Sequence, residues 1–202
     1  MLEEEYQKPR RLPRHLRAQA PAERPFAFDI RPAELRDIPD IREIYNYYVT
    51  NSVVTFDEKR WTLKQWREKF DHLQKLEMPF LVAESPSGQV LGYALVQPWS
   101  GKSAYRFTVE NSIYLGHAAA GKGLGRALLE ALIEACRQAG IREIVAVISD
   151  KGAEASIALH EKLGFVEVGR MGRVGFKFGR WLGTIYLQKH IKPVKKRGLF
   201  GR

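Results

Sequence analysis

Three glycines on alternate positions, Gly121, Gly123 and Gly125, stand between a strand-like run and a helix-like run, with Lys122 and Arg126 among them. A glycine turn at the start of a helix leaves backbone N–H groups bare and adds the positive end of the helix dipole, which together make an anion site. Lacking Cβ atoms, the glycines let a phosphate approach the main chain closely. The same spacing also suits a plain strand–helix connection. The turn has no Gly-Lys-Ser/Thr ending, so it is not a Walker loop, and its third glycine comes too early for a dinucleotide fingerprint. Just upstream, Glu110-Asn111 breaks the apolar pattern of its strand, which marks either a bulge or a polar functional point. His160 is a residue type that titrates near neutrality, although a lone helical histidine ordinarily packs as structure.

The elements that must position these residues read as follows. Phe26 to Arg31 alternates as a first strand. Asp37, with Asp40 three residues later, reads as the N-cap of a helix carrying Ile38, Ile41, Ile44, Tyr45 and Tyr48. A second helix spans roughly residues 62–76, with Leu63, Trp66, Phe70 and Leu73 on one face. Residues 80–84 and 90–96 flank Pro86-Ser87-Gly88 and read as a hairpin. Residues 99–103 form a loop, and 105–115 a long strand leading to the glycine turn. Leu124 to Cys136 is an apolar helix stripe stopped by Gly140. Residues 144–148 are wholly apolar, as in a strand covered on both faces. A short helix over 153–163 and strands at 165–168 and 183–187 complete an α+β pattern with a mixed sheet.

Length and charge bound the class. The chain has 202 residues, 45% of them hydrophobic, enough for one domain with extensions. Residues 1–25 read as an extension poor in core residues, 26–191 as the domain, and 192–202 as a basic tail. The net charge of +10 gathers at the ends: residues 189–202 hold six basic side chains and no acidic one. Such a tail reads as a solvated segment rather than a nucleic-acid contact. No long uncharged apolar run predicts a membrane span. The acidic N-terminus lacks a signal core, and one cysteine, Cys136, cannot form an internal disulfide, so the cytoplasm is the expected compartment.

The order of strand, Gly-Lys-Gly-Leu-Gly turn, long helix, Ile144-Val-Ala-Val-Ile148 strand and Leu159-His-Glu-Lys-Leu-Gly-Phe165 resembles the GNAT superfamily of N-acetyltransferases. A narrower resemblance, to phosphinothricin and methionine sulfoximine acetyltransferases, rests on Ile44–Val49, Thr55–Glu58, Ala104–Leu115 and Gly175–Trp181. It implies the acyl-CoA N-acyltransferase fold, a three-layer sandwich in which helices flank a mixed central sheet. It also implies acetyl-CoA as co-substrate, no metal, a small amino-acid-like amine acceptor and a homodimer. Ile113, Tyr114 and Leu115 would pair with the pantetheine arm; Gly121, Lys122, Gly123, Leu124, Gly125 and Arg126 would hold the pyrophosphate. Glu110 and His160 become the acid–base candidates, with the choice of base between them open. Arg106 and Lys177 are candidates for an acceptor anion, and Phe56, Trp99 and Tyr105 for the pocket walls.

Three positions depart from the relatives' pattern. Ala120 stands where Gln or Arg is usual, Ala153 where Asn is usual, and Gly183 where Asp is usual. Two rival expectations follow: acetylation of another amine (a polyamine, an aminoglycoside or a protein N-terminus), or a CoA-binding scaffold with weakened catalysis.

Overall fold

A computed structural model describes residues 26–119 and 121–192 of the chain. The expectations for residues 1–25, Ala120 and the tail beyond 192 lie outside these residues.

The elements run β1 (Asp29–Pro32), α1 (Ile38–Asn51), α2 (Leu63–Lys75), β2 (Phe80–Glu84), β3 (Val90–Pro98), β4 (Thr108–Leu115), α3 (Leu124–Gln138), β5 (Glu143–Ser149), α4 (Glu154–Lys162), β6 (Val166–Lys177) and β7 (Arg180–His190). The seven strands form one sheet in the order β1-β2-β3-β4-β5-β7-β6. Only the β4–β5 pair is parallel. It is the pair joined by a helical crossover, α3, as parallel strands require.

Alternation sends successive side chains to opposite faces, and two cores result. Ile38 and Ile41 of α1 and Trp66, Phe70 and Leu73 of α2 pack on Val82, Tyr93 and Leu95. Leu124, Leu128, Leu129 and Leu132 of α3 pack on the other face, against Ala94, Val96, Val109, Ile144, Ala146 and Leu187. The apolar stripe of α3 buries Cys136 completely, and that burial pushes its thiol up to about 12, so it packs as a small hydrophobe.

Several local expectations are corrected. Asp37 precedes α1 but its side chain does not cap it. Its carboxylate instead accepts from the Glu34 N–H at 2.8 Å and from both terminal nitrogens of Arg31 at 2.7 and 2.8 Å. A short 3-10 turn over 35–37 places it there. The long strand starts at Thr108, because Ser103–Tyr105 forms a 3-10 turn. No bulge interrupts β4 at Glu110-Asn111, since its register with β3 runs unbroken. The last two strands are far longer than the apolar runs suggest. They meet in a two-residue turn, Phe178-Gly179, with φ of +50° and +73°, the backbone a tight hairpin needs. Lys177 ends β6 and Arg180 begins β7.

Candidate active site

Four residue pairs, Thr108–Glu143 through Asn111–Ala146, join β4 to β5. Beyond them the strands diverge, and a cavity of about 750 Å³ opens between Ser112–Leu115 and Val147–Ser149. The cavity passes through the plane of the sheet and reaches both faces. That explains how Glu110 and Asn111, adjacent in sequence and pointing to opposite faces, both line it.

On the face of α1 and α2 lies a polar and aromatic chamber. Glu110 is half-buried beside Gln97, its register partner on β3. Burial raises its carboxyl, while the neighbouring Gln97 amide and the Lys69 charge oppose this; the balance lies above the ordinary carboxylate value. Lys69 Nζ donates to Gln97 Oε1 at 3.0 Å and sits 5.5 and 5.9 Å from the Trp61 and Trp66 rings. Asp57 Oδ2 accepts from Tyr45 Oη and from Trp61 Nε1, each at 2.6 Å. These bonds fix the 55–57 segment against α1. Phe56, beside it, lines the cavity. Its ring lies so close over Gly175 that a Cβ there would come within 2.4 Å of it.

On the α3 and α4 face, His160 is 1% exposed. Its Nδ1 lies 2.8 Å from the Ser156 carbonyl, which can only accept, so Nδ1 carries the proton of the neutral ring. Nε2 then accepts from Asn111 Nδ2 at 3.0 Å. Burial lowers the affinity of this ring for a second proton, more than the Ser156 contact raises it. The buried walls also contain Trp66 Nε1, Tyr93 Oη, Asn111 Oδ1 and Thr184 Oγ1 without partners among the described residues.

The glycine turn closes one end. Gly121 and Gly123 have φ of +76° and +81°, and a Cβ at either would meet nothing within 4 Å. Their conformation, not crowding, demands glycine. Gly123 is the N-cap of α3 and offers no side chain to its first N–H groups. Those donors remain available to an anion. Gly125 brings the helix against Leu115 and Leu159, 3.4 and 3.5 Å from where its Cβ would be. An open nest at a helix start, beside a splayed strand edge, fits the pyrophosphate and amide-bearing arm of acetyl-CoA.

The structure brings together Glu110, His160, Phe56, Ile113, Tyr114, Leu115, Gly121 and Gly125 around one cavity. It places the others elsewhere. Lys122 rests 4.7 Å from the Phe26 ring centre, and Arg126 pairs with Glu130 at 2.8 Å. Leu124 is fully buried in the core. Tyr105 is exposed and lines neither this cavity nor the depression beside it. Arg106 lines only that depression, with Nη1 on the Ser103 carbonyl and its guanidinium over Phe107. Lys177, expected at an acceptor anion, is 2% exposed, and its Nζ donates to the Ser52 and Thr55 carbonyls, both at 2.8 Å. It fastens the loop that carries Phe56 without facing the cavity.

One of the departures, Gly183, acquires an explanation. At Gly183 a Cβ would come within 2.7 Å of Asp150 Oδ2 and 2.5 Å of the Met171 carbonyl. Asp150 Oδ1 accepts the Gly183 N–H at 2.8 Å, so a carboxylate from β5's end occupies the space beside this strand. Ala153 is the N-cap of α4 with no side-chain bond; nothing in the structure replaces the missing amide. Lys69, Gln97, Asp57 and Tyr45 are lining residues that sequence reasoning passed over. The signal for Lys69 was its place three residues after Trp66, at the margin of the apolar face of α2.

Residues 30–185 match the family model described as acetyltransferase (GNAT) domain. The chain is 42% identical over 166 residues to the L-methionine sulfoximine/L-methionine sulfone acetyltransferase of Pseudomonas aeruginosa, covering 82% of this chain and 96% of that protein. It is 39% identical over 155 residues to the phosphinothricin N-acetyltransferase of Alcaligenes faecalis, covering 77% and 78%. Among solved structures, a phosphinothricin acetyltransferase from Sinorhizobium meliloti in complex with acetyl-CoA superimposes with a TM-score of 0.77 at 39% identity, covering 84% and 94%. A Salmonella typhimurium putative acetyltransferase with its cofactor acetyl-CoA gives 0.79 at 38%, covering 82% and 95%.

Proposed function

The chain belongs to the GNAT acetyltransferase family, and on that premise we propose that it acetylates the α-amine of a small amino acid of the methionine sulfoximine or phosphinothricin type. The observation that carries this reading is the placement of Glu110: a half-buried carboxylate with a raised proton affinity, in a cavity walled by aromatic rings and open to the glycine nest. Acetyl-CoA supplies an activated acyl group when bound. The α3 nest would hold its pyrophosphate, and the Ile113–Leu115 edge would align its arm.

An acceptor α-amine is mostly protonated at neutral pH, with a reference pKa of about 7.7–8.0. Glu110 takes that proton, and its raised pKa makes it a better base than an exposed carboxylate. The main-chain N–H groups at the end of β4 face the acyl oxygen as charge grows there. The aromatic walls hold the acceptor in line, so much of the acceleration comes from orientation. His160 serves as a positioning residue: its two nitrogens are occupied by Ser156 and Asn111, which fixes β4 against α4.

Acceptor-dependent CoA release, measured with methionine sulfoximine, phosphinothricin, ordinary amino acids and polyamines, tests the reading. Turnover of the first two that falls at least a hundredfold in Glu110→Gln supports it. Turnover confined to polyamines, or none with intact acetyl-CoA binding, overturns it.

The partner surface that best suits a homodimer is the β6–β7 hairpin. Val166, Val168, Val174, Phe176 and Trp181 are all at least 45% exposed on this edge of the sheet, an apolar display unusual for a lone surface. Sedimentation of wild type as a dimer, and of Phe176→Glu as a monomer, checks this.

A further inference from the structure

Among the described residues Lys69 is the one lysine or arginine lining the central cavity. Arg106 and Lys177 are engaged elsewhere, as shown above. Lys69 reaches the cavity from α2 and is held by three contacts: the hydrogen bond to Gln97 Oε1 and the faces of Trp61 and Trp66. An ammonium has three N–H donors, and Gln97 is the one hydrogen-bond acceptor Lys69 has among the described residues. Gln97 is also the register partner of Glu110, directly across from it on β3. A positive and a negative group thus stand on either side of one amide side chain, within a single chamber. The second carboxylate there, Asp57, has Oδ2 taken by Tyr45 and Trp61.

This pairing is complementary to an α-amino acid, whose ammonium and carboxylate lie on one carbon. We propose that Lys69 binds the acceptor's α-carboxylate while Glu110 meets its amine, making Lys69 a specificity-determining residue for α-amino acids over simple amines. The assignment rests on the function proposed above and adds the group that reads the acceptor's acid end. The indole faces hold the ammonium through its positive charge, and that point charge suits a carboxylate. It also repels the second cation of a diamine.

The test uses the full chain and two acceptors, L-methionine sulfoximine and its α-carboxamide, which keeps the amine and removes the negative charge. In wild type, kcat/KM for the acid exceeds that for the amide by about tenfold or more, the size expected of a charge-assisted hydrogen bond. In Lys69→Met the ratio falls towards one, mainly through KM for the acid, and Lys69→Arg restores part of it. Acetyl-CoA affinity by calorimetry stays within about twofold in both variants, which shows that the fold is intact. If Lys69→Met keeps the wild-type ratio, the assignment is overturned while the acetyltransferase reading stands. It is overturned equally if the variant loses phosphinothricin selectively with the ratio unmoved, since Lys69 would then read the side-chain anion. If wild type acetylates no α-amino acid, the functional reading itself fails and takes the assignment with it.

Discussion

Asn111 Nδ2 and His160 Nε2 lie 3.0 Å apart and tie β4 to α4 at the cavity wall. The bond has a direction, because the Ser156 carbonyl claims the proton on Nδ1. His160 is therefore neutral, and burial favours that state.

The first prediction concerns this pair. Below about pH 6.5 an unfolded histidine gains a proton that the native His160 refuses. Stability should then decline as the pH falls from 6.5 towards the lowered native value, and His160 should contribute nothing to the pH dependence above it. Asn111→Asp places an anion beside Nε2 and should raise the native pKa. The His160 ring resonances, followed by NMR from pH 4 to 8, check both; identical titration near 6.5 in both proteins contradicts the assignment.

The contact between Asp150 and Gly183 gives a second prediction. Gly183→Ala forces a methyl group against a carboxylate and a backbone carbonyl, at a cost of about 1–3 kcal/mol. Asp150→Ala relieves one of the two collisions. The double variant should therefore lose less than the sum of the singles, by about 1 kcal/mol. Strict additivity in urea unfolding would count against the packing described.

Gly175 is the seat of the Phe56 ring. Gly175→Ala displaces that ring from the cavity wall, and on the proposed function KM for the acceptor should rise about tenfold as contacts are lost. The glycines of the nest take no part in this contact, so KM for acetyl-CoA should hold. Steady-state kinetics varying each substrate in turn separate the two effects.

With Glu110 as the proposed base, its titration should set the acid limb of the rate profile. Its raised pKa places that limb above the value of about 4.3 for a free glutamate. The Gln97 amide opposite Glu110 lowers the pKa by favouring the ionised form, with Lys69 acting in the same direction. Gln97→Ala should thus move the limb to higher pH. A kcat/KM profile with an unmoved limb would place the essential base elsewhere.

The elements around the nest were plain from the chain alone, because glycine spacing and helix periodicity are local properties. Glu110 also announced itself, as a charge inside an apolar strand. Lys69 did not: a lysine at the margin of an amphipathic helix looks solvated until the sheet shows what it faces. The error over Lys177 has a similar origin. The lysine sits between Phe176 and Phe178 with Gly175 and Gly179 beyond them, and only the long hairpin reveals that it turns inward to the 52–55 carbonyls. That hairpin was itself obscured, since Gly169, Gly172 and Gly175 break the apolar alternation of β6.

The four rungs between β4 and β5 leave the sheet with a crack that starts in its middle. Sheets ordinarily confine their unpaired main chain to the outer edges, whereas here some of it lies inside, lining the cleft. An extended ligand entering the crack would act as a short guest strand, stitching together two half-sheets that share a short seam. Occupancy should then slow amide hydrogen exchange at Ser112–Leu115 and Val147–Ser149 together, so that cofactor capture and the stiffening of the whole molecule become one event.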